Sequence, residues 1–236
     1  MDLPGLLSYH VDRLKFRATN LDLLIALVAT FFLPVACLFL LTNTGALLPL
    51  LLYYGVFCFG VVRWRKRSLD YARPVAWVLP LFLVLLAVQL ISQVGGVLTV
   101  VPRNDDLLGV TLTLLIWVPV NALAEQLLWM YIFDAFETRW TERRKRLAGG
   151  LIGIFMTLIF VGFIHALFWG EFLPSFENVA PWSQIFFASQ FILTIGYLFL
   201  YRRTGSMLPI FLIHIIADAT LVLGAMYSMV PDLWTL

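Results

Sequence analysis

Apolar residues run along this chain in long blocks, and its charged residues collect at the block ends. Seven blocks, at about 21–41, 46–62, 75–101, 107–136, 147–169, 183–201 and 206–229, are each long enough to cross a bilayer core as a helix. The pattern predicts an all-α, polytopic transmembrane helical bundle of about seven spans, forming a single transmembrane domain over residues 1–236. The first block exceeds the apolar core of a cleavable signal peptide and has no A-x-A-like site after it, so it is expected to stay as a span. No internal repeat is visible, which removes the usual support for an inverted-repeat transporter.

Charge then orients the bundle. Arg13, Lys15 and Arg17 precede the first block, "RWRKR" (63–67) and Arg73 follow the second, Arg139 and "RRKR" (143–146) follow the fourth, and Arg202 and Arg203 follow the sixth. Of the Lys and Arg residues only Arg103 falls on the opposite side, so these loops and the N-terminus are expected in the cytoplasm and the C-terminal "PDLWTL" outside. The segment "GEFLPSFENVAPW" (170–182), with two Glu and no Lys or Arg, fits a non-cytoplasmic or partly re-entrant loop. Composition agrees: 61% of residues are hydrophobic, 13% are charged, and the mean hydropathy is +0.92. The net charge of +2 belongs to span-flanking clusters, so no nucleic-acid partner is expected. Cys37 and Cys58 lie inside apolar runs without metal or redox spacing and read as buried small hydrophobes.

Four ionisable residues stand well inside the spans: Glu125, His165, His214 and Asp218. Each costs at least ~2.5–3.5 kcal/mol at a helix centre, so such groups face a bundle interior or a water-filled cavity. His214 and Asp218, four apart, share a helix face, where the carboxylate can orient the imidazole. Asn121 is one turn before Glu125 on the same face. Held together, the set supplies a general base, hydrogen-bond donors and a second carboxylate, enough for water activation and oxyanion stabilisation. The competing structural reading is a polar pair that joins helices. A proton relay, or haem ligation by His165 and His214, would use the same residues, although haem leaves Glu125 unexplained. Asp134, about a turn and a half from Arg139, reads as interfacial, and Trp140 and Tyr201 read as membrane-belt residues.

The order and spacing of these groups resemble the CAAX-protease and bacteriocin-processing (CPBP or Abi) family of intramembrane endopeptidases. That family carries EExxxR on one span, FxxxH on the next and HxxxN or HxxxD on a later one. Here the first glutamate falls on Glu125, the second-motif histidine on His165, and the third motif on His214 and Asp218, after the short turn in "RRTGSMLPIFLIHIIADA" (202–219). The likeness covers about residues 107–225. It implies hydrolysis of a peptide bond in a membrane-associated or lipidated peptide, in a prokaryotic plasma membrane, within a cavity open toward the cytoplasm. Glu125 and His165 would activate the water, His214 would donate to the oxyanion, and Asp218 would orient His214 or act as a second donor. No cofactor is expected, although one Glu and two His (Glu125, His165, His214) also suffice chemically for Zn²⁺ with an open position.

The chain departs from the family pattern in "EQLLWM", where Gln126 replaces the second glutamate and Met130 the arginine, and in Val161, which stands four before His165 where Phe is usual. Residues 126 and 130 share a helical face, so an ion pair has gone as a unit. This loss is the ground for an alternative, a non-catalytic membrane scaffold, partner-binding or immunity-type protein with a partner membrane protein. Upright helices would leave the polar groups at different depths, about 18 Å, 27 Å and 12 Å from the cytoplasmic span ends for Glu125, His165 and His214. Tilt or projection of the fifth span is therefore expected.

Overall fold

The computed structural model describes residues 16–233, and Arg13, Lys15 and residues 234–236 lie outside this range. It is 78% helical, without strands among the described residues. The helices are α1 (Asn20–Phe31), α2 (Leu33–Thr44), α3 (Leu47–Lys66), α4 (Leu79–Thr99), α5 (Leu107–Glu137), α6 (Arg143–Trp169), α7 (Trp182–Thr204) and α8 (Leu208–Ala225). Six of these are long and apolar enough to span a membrane, and α1 with α2, bent by 45° at their junction, brings the number to seven if the pair is counted as one span. The chain is a multi-pass membrane protein.

The bend in the first span has a local cause. Pro34 sits in the first turn of α2 and has no N–H for the carbonyl of Thr30, so the helix breaks at Phe32. At the other end of the chain, the turn between α7 and α8 follows from its sequence. Gly205 takes φ 62°, a left-handed conformation that favours glycine, and its N–H caps the Tyr201 carbonyl at 2.8 Å. The Thr204 hydroxyl then donates to the Leu200 and Ser206 carbonyls, and Pro209 opens α8 in its first turn.

Helix α5 packs most closely along α6, and α4 along α7. The first contact depends on glycine: a Cβ at Gly149 would lie 2.5 Å from the Phe136 carbonyl oxygen, and one at Gly153 2.8 Å from that of Phe133. Three stretches are wound as π-helix, residues 51–61 in α3, 113–117 in α5 and 165–169 in α6.

The basic clusters gather at one end of the bundle. Arg65 pairs with Asp22 at 2.8 Å and Arg139 bonds Asn20, while Arg103 is at the far end with Asp232 and Asp105. Two sequence expectations are corrected at the basic end. Asp134 is fully buried rather than interfacial, and its partners are Lys66 at 2.9 Å and Arg202 at 2.5 Å, not Arg139. Tyr201 is likewise buried rather than a belt residue: its hydroxyl donates to Asp70 and accepts from Lys66, both at 2.8 Å. Arg202 also bonds Glu137 at 2.6 Å, and Arg146 bonds Glu137 at 2.7 Å. Low dielectric makes each of these charges costly alone, and clustering lets them share partners. Burial pushes the Asp70 carboxyl upward, but the Lys66 ammonium at 2.6 Å outweighs this and holds it below the usual range. Trp140 is exposed, and Cys37 and Cys58 are buried and free, as expected from the sequence.

Candidate active site

Helix α5 presents Trp117, Asn121, Glu125 and Trp129 at four-residue intervals, one stripe facing α3, α6 and α8. Glu125 is 1% exposed, and its two oxygens have different surroundings. Oε1 accepts from the Tyr53 hydroxyl of α3 at 3.0 Å and from the Trp169 indole of α6 at 2.7 Å. Oε2 lies 3.7 Å from His214 Nε2 and 3.5 Å from Asn121 Nδ2.

The depth problem is resolved by register and side-chain direction. Arg146 bonds Glu137 and the Thr157 hydroxyl reaches the Trp129 carbonyl, so α5 and α6 run antiparallel with His165 about two turns beyond Trp129, near the level of Asn121. Side chains lean toward the N-terminus of their own helix, so on antiparallel helices Glu125 and Trp169 lean toward each other. In the same way α8 starts level with the Asp70–Tyr201–Asp134 cluster, because the Met207 N–H bonds the Asp70 carbonyl. His214 thus reaches the height of Glu125.

Asn121 ties two carboxylates together. Its Nδ2 donates to Asp218 Oδ2 at 3.0 Å and reaches Glu125, while its Oδ1 accepts from the Tyr54 hydroxyl at 2.5 Å. The Trp117 indole in turn donates to Tyr54 at 3.2 Å, so a one-way chain of donors ends on the carboxylates. His214 is held by stacking on Trp129, ring centroids 5.4 Å apart at 30°, and its Nδ1 is buried with no partner. Nε2 faces two carboxylates, Glu125 at 3.7 and Asp218 at 3.8 Å, so the tautomer that carries its proton on Nε2 suits this site. These distances exceed direct hydrogen bonding, and the hydrogen bond that Asp218 accepts comes from Asn121.

A cavity of about 600 Å³ brings Glu125, His165, His214 and Asp218 onto one surface. His165 stands apart from the other three: its side chain is exposed, and Nδ1 lies 2.8 Å from the Val161 carbonyl. Among the described residues it makes no hydrogen bond to Glu125. The exposed residues Gly162, His165, Ala166, Phe187 and Phe191 line the cavity between α6 and α7, so it opens on the flank of the bundle. The cavity then runs to residues 173–176, away from the basic end, and no member of the Lys66–Asp134–Arg202 cluster lines it.

Gln126 and Met130 face elsewhere. The Gln126 amide donates to the Tyr71 hydroxyl at 2.6 Å, Tyr71 donates to the Leu123 carbonyl at 2.5 Å, and Met130 is fully buried. The altered half of the first motif therefore anchors the 67–78 segment and does not touch the Glu125 carboxylate.

Residues 107–220 match the model of the type II CAAX prenyl endopeptidase Rce1-like family. Over that stretch, just under half of the chain, the sequence is similar to this family. No curated protein and no solved structure matches. Set against the CAAX-protease motifs, the arrangement adds residues that sequence reading passed over: Tyr53, Tyr54, Trp117, Trp129 and Trp169. Three of them carried a signal, because Trp117 and Trp129 continue the four-residue stripe through Glu125 and Trp169 is four after His165. Tyr53 and Tyr54 look like any aromatic pair in an apolar run.

Among the described residues no group of three or more His, Cys, Asp or Glu is disposed to hold a metal ion, and Oε1 of Glu125 is already saturated by two donors. Those two donors fix which Glu125 oxygen faces the cavity. Tyr53→Phe or Trp169→Phe is expected to lower kcat about tenfold each, at little cost in KM, the size of one hydrogen bond to a charged group. Steady-state rates of the two variants check this.

Proposed function

We propose that the chain is an intramembrane endopeptidase whose general base is Glu125. The observation that carries this reading is the division of labour on that carboxylate: Oε1 is immobilised by Tyr53 and Trp169, and Oε2 is turned to His214 Nε2. A water between Oε2 and a substrate carbonyl would lose its proton to Glu125 as its oxygen attacks the carbon. The resulting oxyanion meets the His214 Nε2–H and, alongside it, the Asn121 amide. Collapse breaks the C–N bond, and the proton held by Glu125 passes to the leaving amine. Asp218 keeps Asn121 aligned, and His165 contacts the water or substrate from the cavity opening.

The substrate is a membrane-associated or lipidated peptide, entering through the gap between α6 and α7. The N-terminus and the basic loops face the cytoplasm of a prokaryotic plasma membrane, which puts the 173–181 segment on the outer side. No cofactor and no nucleic acid takes part in this scheme.

The test is incubation of the purified protein in nanodiscs with lipidated and unlipidated apolar peptides in ¹⁸O-labelled water. One ¹⁸O in the new carboxyl group of a product is expected. Absence of any cleavage across the peptide set overturns the reading.

A further inference from the structure

Two glutamines of α4, Gln89 and Gln93, are buried on the cavity surface, one turn apart on the same helix face. Gln89 is 1% exposed, and its Oε1 accepts from the Tyr197 hydroxyl at 3.2 Å, which fixes the amide plane. Its Nε2 then has no hydrogen-bond partner although it is buried. Gln93 makes no side-chain hydrogen bond among the described residues, whereas Gln190, across the same cavity, spends its amide on Ser92 at 2.7 Å. Helix-joining polar side chains bond across the helix pair, as the Gln190 amide does to the Ser92 hydroxyl. Gln89 Nε2 is left unspent and buried, at a cost that an apolar site makes large, and the Gln93 amide stands one turn away on the cavity surface.

We infer that Gln89 and Gln93 form a subsite for the main chain of an extended peptide, hydrogen-bonding one edge of the strand while Glu125 and His214 act on a carbonyl beyond it. Spacing supports this: residues four apart on a helix rise about 6 Å, and same-edge groups of an extended strand repeat about every 6.4–6.8 Å. The chemistry is also selective. A peptide entering this largely apolar cavity must find partners for its backbone groups, and an alkyl chain needs none. The unpaired Gln89 Nε2 is a donor set for a carbonyl oxygen, and each Gln93 amide can serve a carbonyl or an N–H. The subsite deepens the endopeptidase reading and rests on it for the direction of the scissile bond.

The experiment measures binding apart from turnover. Glu125→Gln protein in nanodiscs is titrated with a dansylated Leu-Ala octapeptide and with its counterpart N-methylated at alternate residues. Energy transfer from the cavity tryptophans reports occupancy. The unmethylated peptide is expected to bind about tenfold tighter, and Gln89→Leu or Gln93→Leu in the same background is expected to erase that preference. Tyr197→Phe, which removes the structural partner of Gln89 and leaves its donor, is expected to keep it and serves as the folding control. Equal binding of the two peptides, a preference that survives both leucine variants, or no binding of either peptide overturns the subsite. If the methylation effect holds and Glu125-competent protein cleaves neither peptide, the endopeptidase reading fails while the subsite stands.

Discussion

Glu125→Gln is expected to lower kcat about a thousandfold while KM stays within a few-fold of the parent value. An amide oxygen still accepts from Tyr53 and Trp169, so the side chain keeps its place. The other amide atom becomes an N–H₂ facing Asn121 Nδ2 and His214 Nε2, two groups that can only donate there, and it cannot take a proton from water. General bases contribute about 10²–10⁴ in rate, which sets the size of the loss. Initial rates of peptide cleavage in nanodiscs, with circular dichroism confirming the helical fold, check it. More than a tenth of the parental activity in this variant would place the base on another residue. His165→Ala supplies a contrast: as a cavity-mouth residue with no hydrogen bond to Glu125, it is expected to affect KM more than Glu125→Gln does.

Arg202→Met is expected to be the most destabilising single change outside the site, costing about 3–5 kcal/mol. The guanidinium is 3% exposed, bonds Asp134 and Glu137, and stacks over Phe133 at 4.8 Å. Its removal leaves two buried carboxylates to share the remaining cations, Lys66 on Asp134 and Arg146 on Glu137. Thermal unfolding in detergent is expected to drop by about 10 °C. Adding Glu137→Gln to Arg202→Met is expected to restore part of this, because the carboxylate left with the weaker partner is gone. A loss in the double variant equal to the sum of the two single losses would mean that the groups are not coupled.

Much of this fold was legible because the bilayer demands unbroken apolar helices: every predicted span has a helix of matching position, and Pro34 marks the one that bends. Burial of Glu125, His214 and Asp218 was legible for the same reason, whereas His165 is exposed at the cavity. What the sequence hid were partners separated by long stretches of chain. Asp134 is near Arg139 in sequence, and only the packing of α3, α5 and α7 shows that its charge is balanced by Lys66 and Arg202. Tyr53 has the same composition signal as any packing aromatic, since nothing local says that its hydroxyl reaches a carboxylate 72 positions away. The flank on which the cavity is lined by exposed residues was also hidden, because it depends on which faces of α6 and α7 stay uncovered and not on any residue type.

On the proposed endopeptidase reading, the exposed lining between α6 and α7 sets the units in which substrate is met. A mouth on the flank of the bundle samples molecules dissolved in lipid, so the relevant quantity is their mole fraction in the bilayer and not their concentration in the surrounding water. Diluting the membrane with inert lipid then slows encounter as effectively as removing substrate, and a peptide that never partitions into the bilayer is excluded before any contact with Glu125.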